Sequence, residues 1–297
     1  MMTAPAGAEP EIFPTEAPAP GWLGPEPIGA RITWTGCAGI ILEYDGTKIC
    51  FDPFVSNPGF VDTFFRSAKT DRALVERKFG GVSAAFVGHT HWDHAMDVAV
   101  VAATNPGAVV YGSKTTTEIC RRQGVSDQQV HTVTDGEVVT IGPFTVEAVA
   151  SQHGIVPLAG KIDVIDLSGK GMPRAPFRWP RGQVFSYRVA FGGVTFYLHT
   201  SAGFEDAPFA RQQPVDALVA CLAARQGTPN YFGRLGDQLQ PKVLIPCHHD
   251  NFLKPVDEPP HPVPRLEWPQ FLDDVAALTD KFGTRLVQLV RGVDSAF

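Results

Sequence analysis

The stretch Gly88-His89-Thr90-His91-Trp92-Asp93-His94 sets four potential metal ligands, His89, His91, Asp93 and His94, within six residues. It directly follows a short apolar run, Ala84 to Val87. At a strand end side chains alternate with a period of two, so His89 and His91 face one side. Asp93 and His94 fall where the chain turns into the next helix, and they aim at a second point nearby. Imidazole combined with carboxylate suits zinc, and also iron or manganese. The bland alternative is a solvated polar loop. Four ligand types packed behind a buried strand argue against it.

The 297 residues must position this cluster. That length allows one large domain or two smaller ones. Apolar residues make up 44% and charged residues 19%, enough for a sizeable core and too apolar for a largely disordered chain. The 29 glycines and 26 prolines predict many turns. Net charge is −6, but Glu9, Glu11, Glu16 and Glu26 all precede the first basic residue, Arg31. The remainder holds 27 acidic against 25 basic side chains, a balance that argues against a broad nucleic-acid-binding surface. No apolar run is long enough to span a membrane, and the N-terminus has no signal-peptide pattern. Five scattered cysteines, Cys37, Cys50, Cys120, Cys221 and Cys247, make a disulfide framework improbable, so they are read as packing residues in a cytoplasmic protein.

Residues 1–30 read as a flexible proline-rich arm, with seven prolines before position 28, although Phe13 and Trp22 offer apolar side chains for docking. Residues 31–297 read as the functional domain. Short strands are expected around 31–34, 40–43 and 48–51, with Asp45-Gly46 as a hairpin turn. Further strands fall at 84–87, 109–111, 138–141, 144–149, 184–190, 194–198, 243–245 and 285–290. Helices are expected over 95–103, 115–123, 215–224 and a stripe from Phe271 to Phe282. Residues 154–182, rich in Gly, Pro and Arg, read as a long functional loop. Residues 255–264 hold five prolines and exclude regular structure. Strands with hairpins in each half, and helices between, suggest sheets covered by helices.

The His-x-His-x-Asp-His pattern behind an apolar strand resembles the metallo-β-lactamase superfamily. The resemblance covers about residues 31–295. Ile49-Cys50-Phe51-Asp52-Pro53 looks like the family's early strand ending in a supporting Asp. Ser151-Gln152-His153-Gly154 looks like its next ligand histidine, and Ile245-Pro246-Cys247-His248 like its last. The stretch from Trp34 to Phe54 and the Pro-Cys-His-His-Asp-Asn-Phe run are most similar to the lactonase-like branch. That branch includes L-ascorbate 6-phosphate lactonase and the N-acyl phosphatidylethanolamine phospholipase. The resemblance implies an α/β fold, a four-layer αββα sandwich with the site on one edge. It implies one metal on His89, His91 and His153, and a second on Asp93, His94 and His248. His249 is a rival to His248. Asp52 would hold a ligand by hydrogen bond. Cys247 adjoins a ligand, and His131 and His261 read as surface residues.

One departure stands out. The family usually bridges its metals with an Asp after a strand, and Ser201 falls at that place in Tyr197-Leu198-His199-Thr200-Ser201-Ala202-Gly203. A weakened second site, a single metal, or recruitment of His199 are the open outcomes. With two divalent ions, Asp93 and a bridging hydroxide, the centre carries a charge of +2, where a bridging Asp would give +1. The more positive centre favours anionic substrates, and Arg174, Arg178 and Arg181 in the long loop add to that. The implied activity is metal-dependent hydrolysis, by a zinc-, manganese- or iron-bound hydroxide, of a small ester, lactone, amide or phosphodiester. Asp93 would serve as base or orienter. Loop 154–182 and Asn230-Tyr231-Phe232 would shape the substrate pocket. A metal-dependent nuclease and a non-catalytic metal-binding protein are the alternatives. The first lacks a basic stripe and the family's large inserted domain.

Overall fold

The computed structural model describes residues 11–155 and 173–297. The first half builds β1 (Arg31–Gly36), β2 (Gly39–Tyr44), β3 (Thr47–Phe51), α1 (Gly59–Phe65), α2 (Arg72–Phe79), β4 (Ala84–Phe86), α3 (Trp92–Ala95), α4 (Val98–Thr104), β5 (Val109–Gly112), α5 (Lys114–Arg122) and β6 (Val130–Thr132). The second half builds β7 (Val138–Ile141), β8 (Phe144–Ser151), β9 (Val184–Phe191), β10 (Val194–His199), α6 (Asp206–Ala210), β11 (Ala217–Cys221), α7 (Tyr231–Leu239), β12 (Val243–Cys247), α8 (Trp268–Phe282), β13 (Arg285–Leu286) and β14 (Asp294–Ala296). They form two seven-stranded sheets, in the orders β14-β1-β2-β3-β4-β5-β6 and β13-β12-β11-β10-β9-β8-β7.

The inner faces of the two sheets bury one core. Ile32, Trp34, Ile40 and Phe51 of the first sheet join Phe185, Tyr187, Val189 and Phe196 of the second. The outer face of the first sheet is covered by α2, α4 and α5 through Val75, Phe79, Val98, Val101 and Ile119. On the second sheet the cover is α7 and α8, through Phe232, Leu235, Phe271 and Val275. This is the expected αββα layering. Burial on both sides explains the run Ala217-Leu218-Val219-Ala220-Cys221, expected within a helix at 215–224. It is a strand, parallel to β10 and to β12. A parallel strand covered on both faces is apolar throughout and carries no alternation to tell it from a buried helix.

The hairpin turn at Asp45-Gly46 is present, with both residues at positive φ, as a tight turn of this hand requires. The helix expected over 95–103 is two helices, α3 and α4, parted at Met96-Asp97. Asp97 is buried there, and its carboxylate accepts hydrogen bonds from Val55 N, Ser56 N and Ser56 Oγ. The strand expected over 285–290 pairs only at Arg285–Leu286. The chain then crosses to the first sheet, where β14 pairs with β1. Residues 11–30 form no helix or strand. They are nonetheless held: Trp22 is 6% exposed and packs on Phe297, and Phe13 stacks on His249. Docking of these two side chains, rather than a loose arm, is what the described part of the segment shows. No described helix is long and apolar enough to cross a membrane.

β3–β6 and β10–β13 run parallel within their sheets. The antiparallel pairings of β1 with β2 and of β8 with β9 bring the ends of β1 and β8 to the same edge. The loops that follow these strands therefore gather at their carboxyl ends, where open α/β sheets bind ligands.

Candidate metal centre

Five of the loops at that edge deliver a chemically capable side chain. β4 leads into His89, His91, Asp93 and His94; β8 into His153; β12 into His248; β3 into Asp52; the β1–β2 turn presents Cys37. The loop after β4 is fixed along its length. Gly88 N donates to Asp52 Oδ1 at 2.6 Å, and Gly88 O accepts from Phe185 N. Thr90 N donates to Arg181 O, and Thr90 Oγ1 bonds Pro180 O. Gly88 tolerates no side chain: a Cβ would lie 2.6 Å from Thr200 Oγ1 and 3.0 Å from Asp52 Oδ2.

His89, His91 and His153 converge. His89 Nε2 lies 3.1 Å from His91 Nδ1, which lies 3.2 Å from His153 Nε2. Two nitrogens on one ion at about 2.1 Å stand about 3.0 Å apart in octahedral and about 3.4 Å apart in tetrahedral geometry. The observed spacings fall in that interval. His153 Nδ1 donates to Gly154 O at 2.7 Å, which leaves Nε2 with its lone pair toward the cluster. Burial, reinforced by the neighbouring imidazoles, keeps these rings neutral. The pKa of His89 is pushed well down, that of His91 to about 3 and that of His153 to about 4. Three neutral imidazoles aimed at one point lack the protons to satisfy one another, which is the donor set a divalent cation takes.

The second group is Asp93, His94, His248 and Cys37. Asp93 Oδ2 is 3.2 Å from His248 Nε2 and 3.9 Å from His94 Nε2. Asp52 Oδ2 stands 2.9 Å from His94 Nδ1, the contact expected of a carboxylate that turns the other ring nitrogen toward a metal. Burial alone would raise the Asp93 carboxyl, but the imidazoles of His94, His248 and His91 outweigh it and hold the group well below the usual carboxylate range. Burial would depress His94, yet Asp52 and Asp93 reverse this and raise it. The two groups adjoin, with the His89 and His94 ring centroids 3.9 Å apart. Cys37, Asp52 and His248 all hold positive φ, 49°, 43° and 54°, a backbone state that non-glycine residues adopt at a cost and that clusters at functional sites.

His248 and His249 part company. His248 joins the second group, while His249 is sandwiched between Trp34 and Phe13 at centroid distances of 4.5 and 5.2 Å. His199 joins neither group; it bonds Ser186 Oγ at 2.8 Å and stacks on Phe204 and Tyr231. Ser201 is buried in the loop after β10, which packs on the backbone of Gln152 and His153 through Gly203. His131 pairs with Glu137 at the surface, and His261 is exposed. Cys247 is buried outside both groups, whereas Cys37, expected only to pack, lies inside the second. Its signal in the sequence was its place in Gly36-Cys37-Ala38-Gly39, a tight turn between two strands that ends on the same edge.

Asn230-Tyr231-Phe232 was expected to shape the pocket. Instead Tyr231 and Phe232 open α7 and are buried in the core. Of loop 154–182, residues 156–172 lie outside the described residues. Arg174 and Arg178 line a separate cavity with Phe64 and Phe65. Arg181 is the one of the three whose positive charge reaches His91 and His153 and lowers them. A mainly apolar cavity of about 630 Å³ is lined by Ile155, Ala224, Gly227, Phe252, Val263 and Arg265, among others. Phe252 also packs on His248 and Trp92, so this cavity opens beside the second group.

Residues 47–249 match the sequence profile of the family described as "Beta-lactamase superfamily domain". A "UPF0173 metal-dependent hydrolase" of Carboxydothermus hydrogenoformans is 24% identical over 260 residues, covering 84% of this chain and 91% of that protein. A protein of the same name from Staphylococcus aureus is 25% identical over 227 residues, 75% of this chain and 86% of its own. Among solved structures, a metallo hydrolase of Ignicoccus hospitalis aligns with a TM-score of 0.54 at 14% identity, over 90% of this chain and 99% of its own. The metallo-beta-lactamase fold protein YhfI of Bacillus subtilis aligns with the same TM-score and identity, over 89% and 98%.

Proposed function

The chain belongs to the beta-lactamase superfamily, and on that premise we propose that it is a hydrolase of small esters, lactones or phosphodiesters that carry an anionic group. The observation that supports this most is the meeting of two adjoining donor groups, His89–His91–His153 and Asp93–His94–His248, on one sheet edge. The first set would hold one divalent ion and the second another, Zn²⁺ by preference and Mn²⁺ or Fe²⁺ as alternatives. Bound there, such ions supply Lewis acidity and activate water. Asp93, held ionised by its imidazole neighbours, serves as ligand and hydrogen-bond acceptor at Oδ2; so low a pKa makes it a weak base, and orienting is its part. Asp52 fixes His94 through Nδ1. Arg181 offers positive charge beside the first set, and the cavity past Phe252 takes the apolar part of the substrate. Buried, unbridged cysteines accord with a cytoplasmic location.

The test is a panel of lactones, carboxylic esters and phosphodiesters, with RNA and single-stranded DNA alongside. Lactones come first because the motifs lie nearest that branch. Turnover of a small substrate, lost in His91→Ala and in Asp93→Asn, is expected. Arg181→Ala should raise KM for anionic substrates and leave neutral ones unchanged. Preferential cleavage of RNA or DNA would overturn the substrate class, and absence of any turnover by metal-loaded protein would overturn the enzyme reading.

A further inference from the structure

Cys37 Sγ lies 3.5 Å from each ring nitrogen of His248 and 4.0 Å from Asp93 Oδ2. A sulfur at about 2.3 Å and an imidazole nitrogen at about 2.1 Å from one tetrahedral ion stand about 3.6 Å apart. We propose that Cys37 is a thiolate ligand of the second metal ion and completes a Cys37–Asp93–His94–His248 set; this rests on the metal-centre reading above.

The backbone presents the side chain deliberately. Cys37 O accepts from His248 N at 2.7 Å and from Trp34 Nε1 at 2.9 Å. Cys37 N donates to Asp250 Oδ1 at 2.8 Å, and Asp250 is paired in turn with Arg291. Those bonds lock the residue at φ 49°, with its sulfur toward Asp93 and His248. The direct hydrogen bond to His248 N also couples the Cys37 turn to the loop that carries another member of the set. No other cysteine belongs to either donor group among the described residues.

Charge supplies a second argument. With Ser201 where the family's bridging carboxylate is expected, Asp93 is the only anion in the two three-residue sets. A thiolate at Cys37 adds a second negative charge, the same count an Asp at position 201 would give. It places that charge on the second ion alone, so the two sites become chemically unlike: three imidazoles in one, a soft sulfur with mixed nitrogen and oxygen in the other. That set selects zinc over manganese or magnesium. Forming the sulfur–metal bond breaks the S–H bond and releases its proton to solvent, with no change of oxidation state. The competing role for Cys37 is a thiol that donates to Asp93 O at 3.3 Å and packs.

Cobalt(II) titrated into metal-free full-length protein separates the two. The expected result is visible ligand-field bands from bound cobalt, joined by a near-ultraviolet thiolate-to-cobalt charge-transfer band. That band should persist in Cys50→Ser and in His91→Ala, and vanish in Cys37→Ser or, should that variant not fold, in Cys37→Ala. Zinc affinity of the second site should fall about tenfold or more with the band. Visible bands without the charge-transfer band in the wild-type protein would overturn the Cys37 assignment while leaving the metal centre standing. A charge-transfer band that survives in Cys37→Ser would overturn it too. If no cobalt bands appear at all, the metal centre itself fails, and the thiolate with it.

Discussion

Replacing Asp52 by Asn tests how the second site is built. The carboxylate is buried; Oδ1 accepts from Gly88 N at 2.6 Å, and Oδ2 stands 2.9 Å from His94 Nδ1 as a close charged contact. An amide of the same shape has one accepting and one donating end, so it satisfies one partner and opposes the other. If the oxygen stays on Gly88, the NH₂ faces His94 Nδ1. The imidazole then carries its proton on Nε2, the nitrogen aimed at the second ion. If the oxygen turns to His94, the NH₂ meets the Gly88 N–H head-on. The backbone is no obstacle, because φ at residue 52 is 43° and Asn adopts that state as readily as Asp. Either way one buried polar group is left opposed, at about 1–3 kcal/mol of stability. Second-site metal affinity should fall about 10–100-fold, equivalent to about 1.4–2.7 kcal/mol. Chelator competition with zinc measures this, and the three-histidine site serves as internal control. Second-site affinity within about twofold of wild type, in a variant that folds, would refute the role of Asp52 as orienter of His94.

Three further outcomes are expected. Trp22→Ala should cost about 3 kcal/mol and lower Tm by roughly 6 °C; an unchanged thermal scan would show that residues 11–30 contribute nothing to the fold. Ser201→Asp should tighten the second metal in titrations of metal-free protein and weaken inhibition by phosphate; unchanged affinity would place another residue at the bridging position. Stability should fall as pH falls below about 6.5. His199 is buried, which lowers its pKa to about 3, so the unfolded chain binds a proton there that the folded chain does not. Between pH 7.5 and 5.5 this one group removes about 1.4 kcal/mol. Urea unfolding of His199→Phe should show a shallower pH dependence than wild type by that amount, and identical slopes would contradict it.

The candidate site could be read from the sequence largely because four of its donor residues sit in one run. His89 to His94 announce themselves by residue type and spacing, and β8 and β12 could be read as strands leading to His153 and His248. The choice between His248 and His249 was not legible. It turns on φ 54° at His248 and on Trp34 and Phe13 closing around His249, contacts more than 200 residues away in sequence. Cys37 was missed because an isolated cysteine 52 residues before His89 carries no local pattern, and only pairing of β1 with β2 and β14 brings it to the edge. Among elements, β11 misled because burial on both faces erases the alternation that marks a strand. Tyr231 and Phe232 look like pocket residues in a loop, yet they are the buried start of a helix. The proline-rich arm read as loose because docking by Trp22 depends on a partner, Phe297, at the opposite end of the chain.

The account stands on metal bound by His89, His91 and His153. Elemental analysis of protein purified without chelator, beside His91→Ala, tests it most directly. The wild type should hold between about one and two equivalents of zinc, manganese or iron, and the variant should lose about one, since its first site keeps only two protein ligands. A wild-type protein that takes up no stoichiometric metal, or a His91→Ala variant that retains the full complement, would contradict the account.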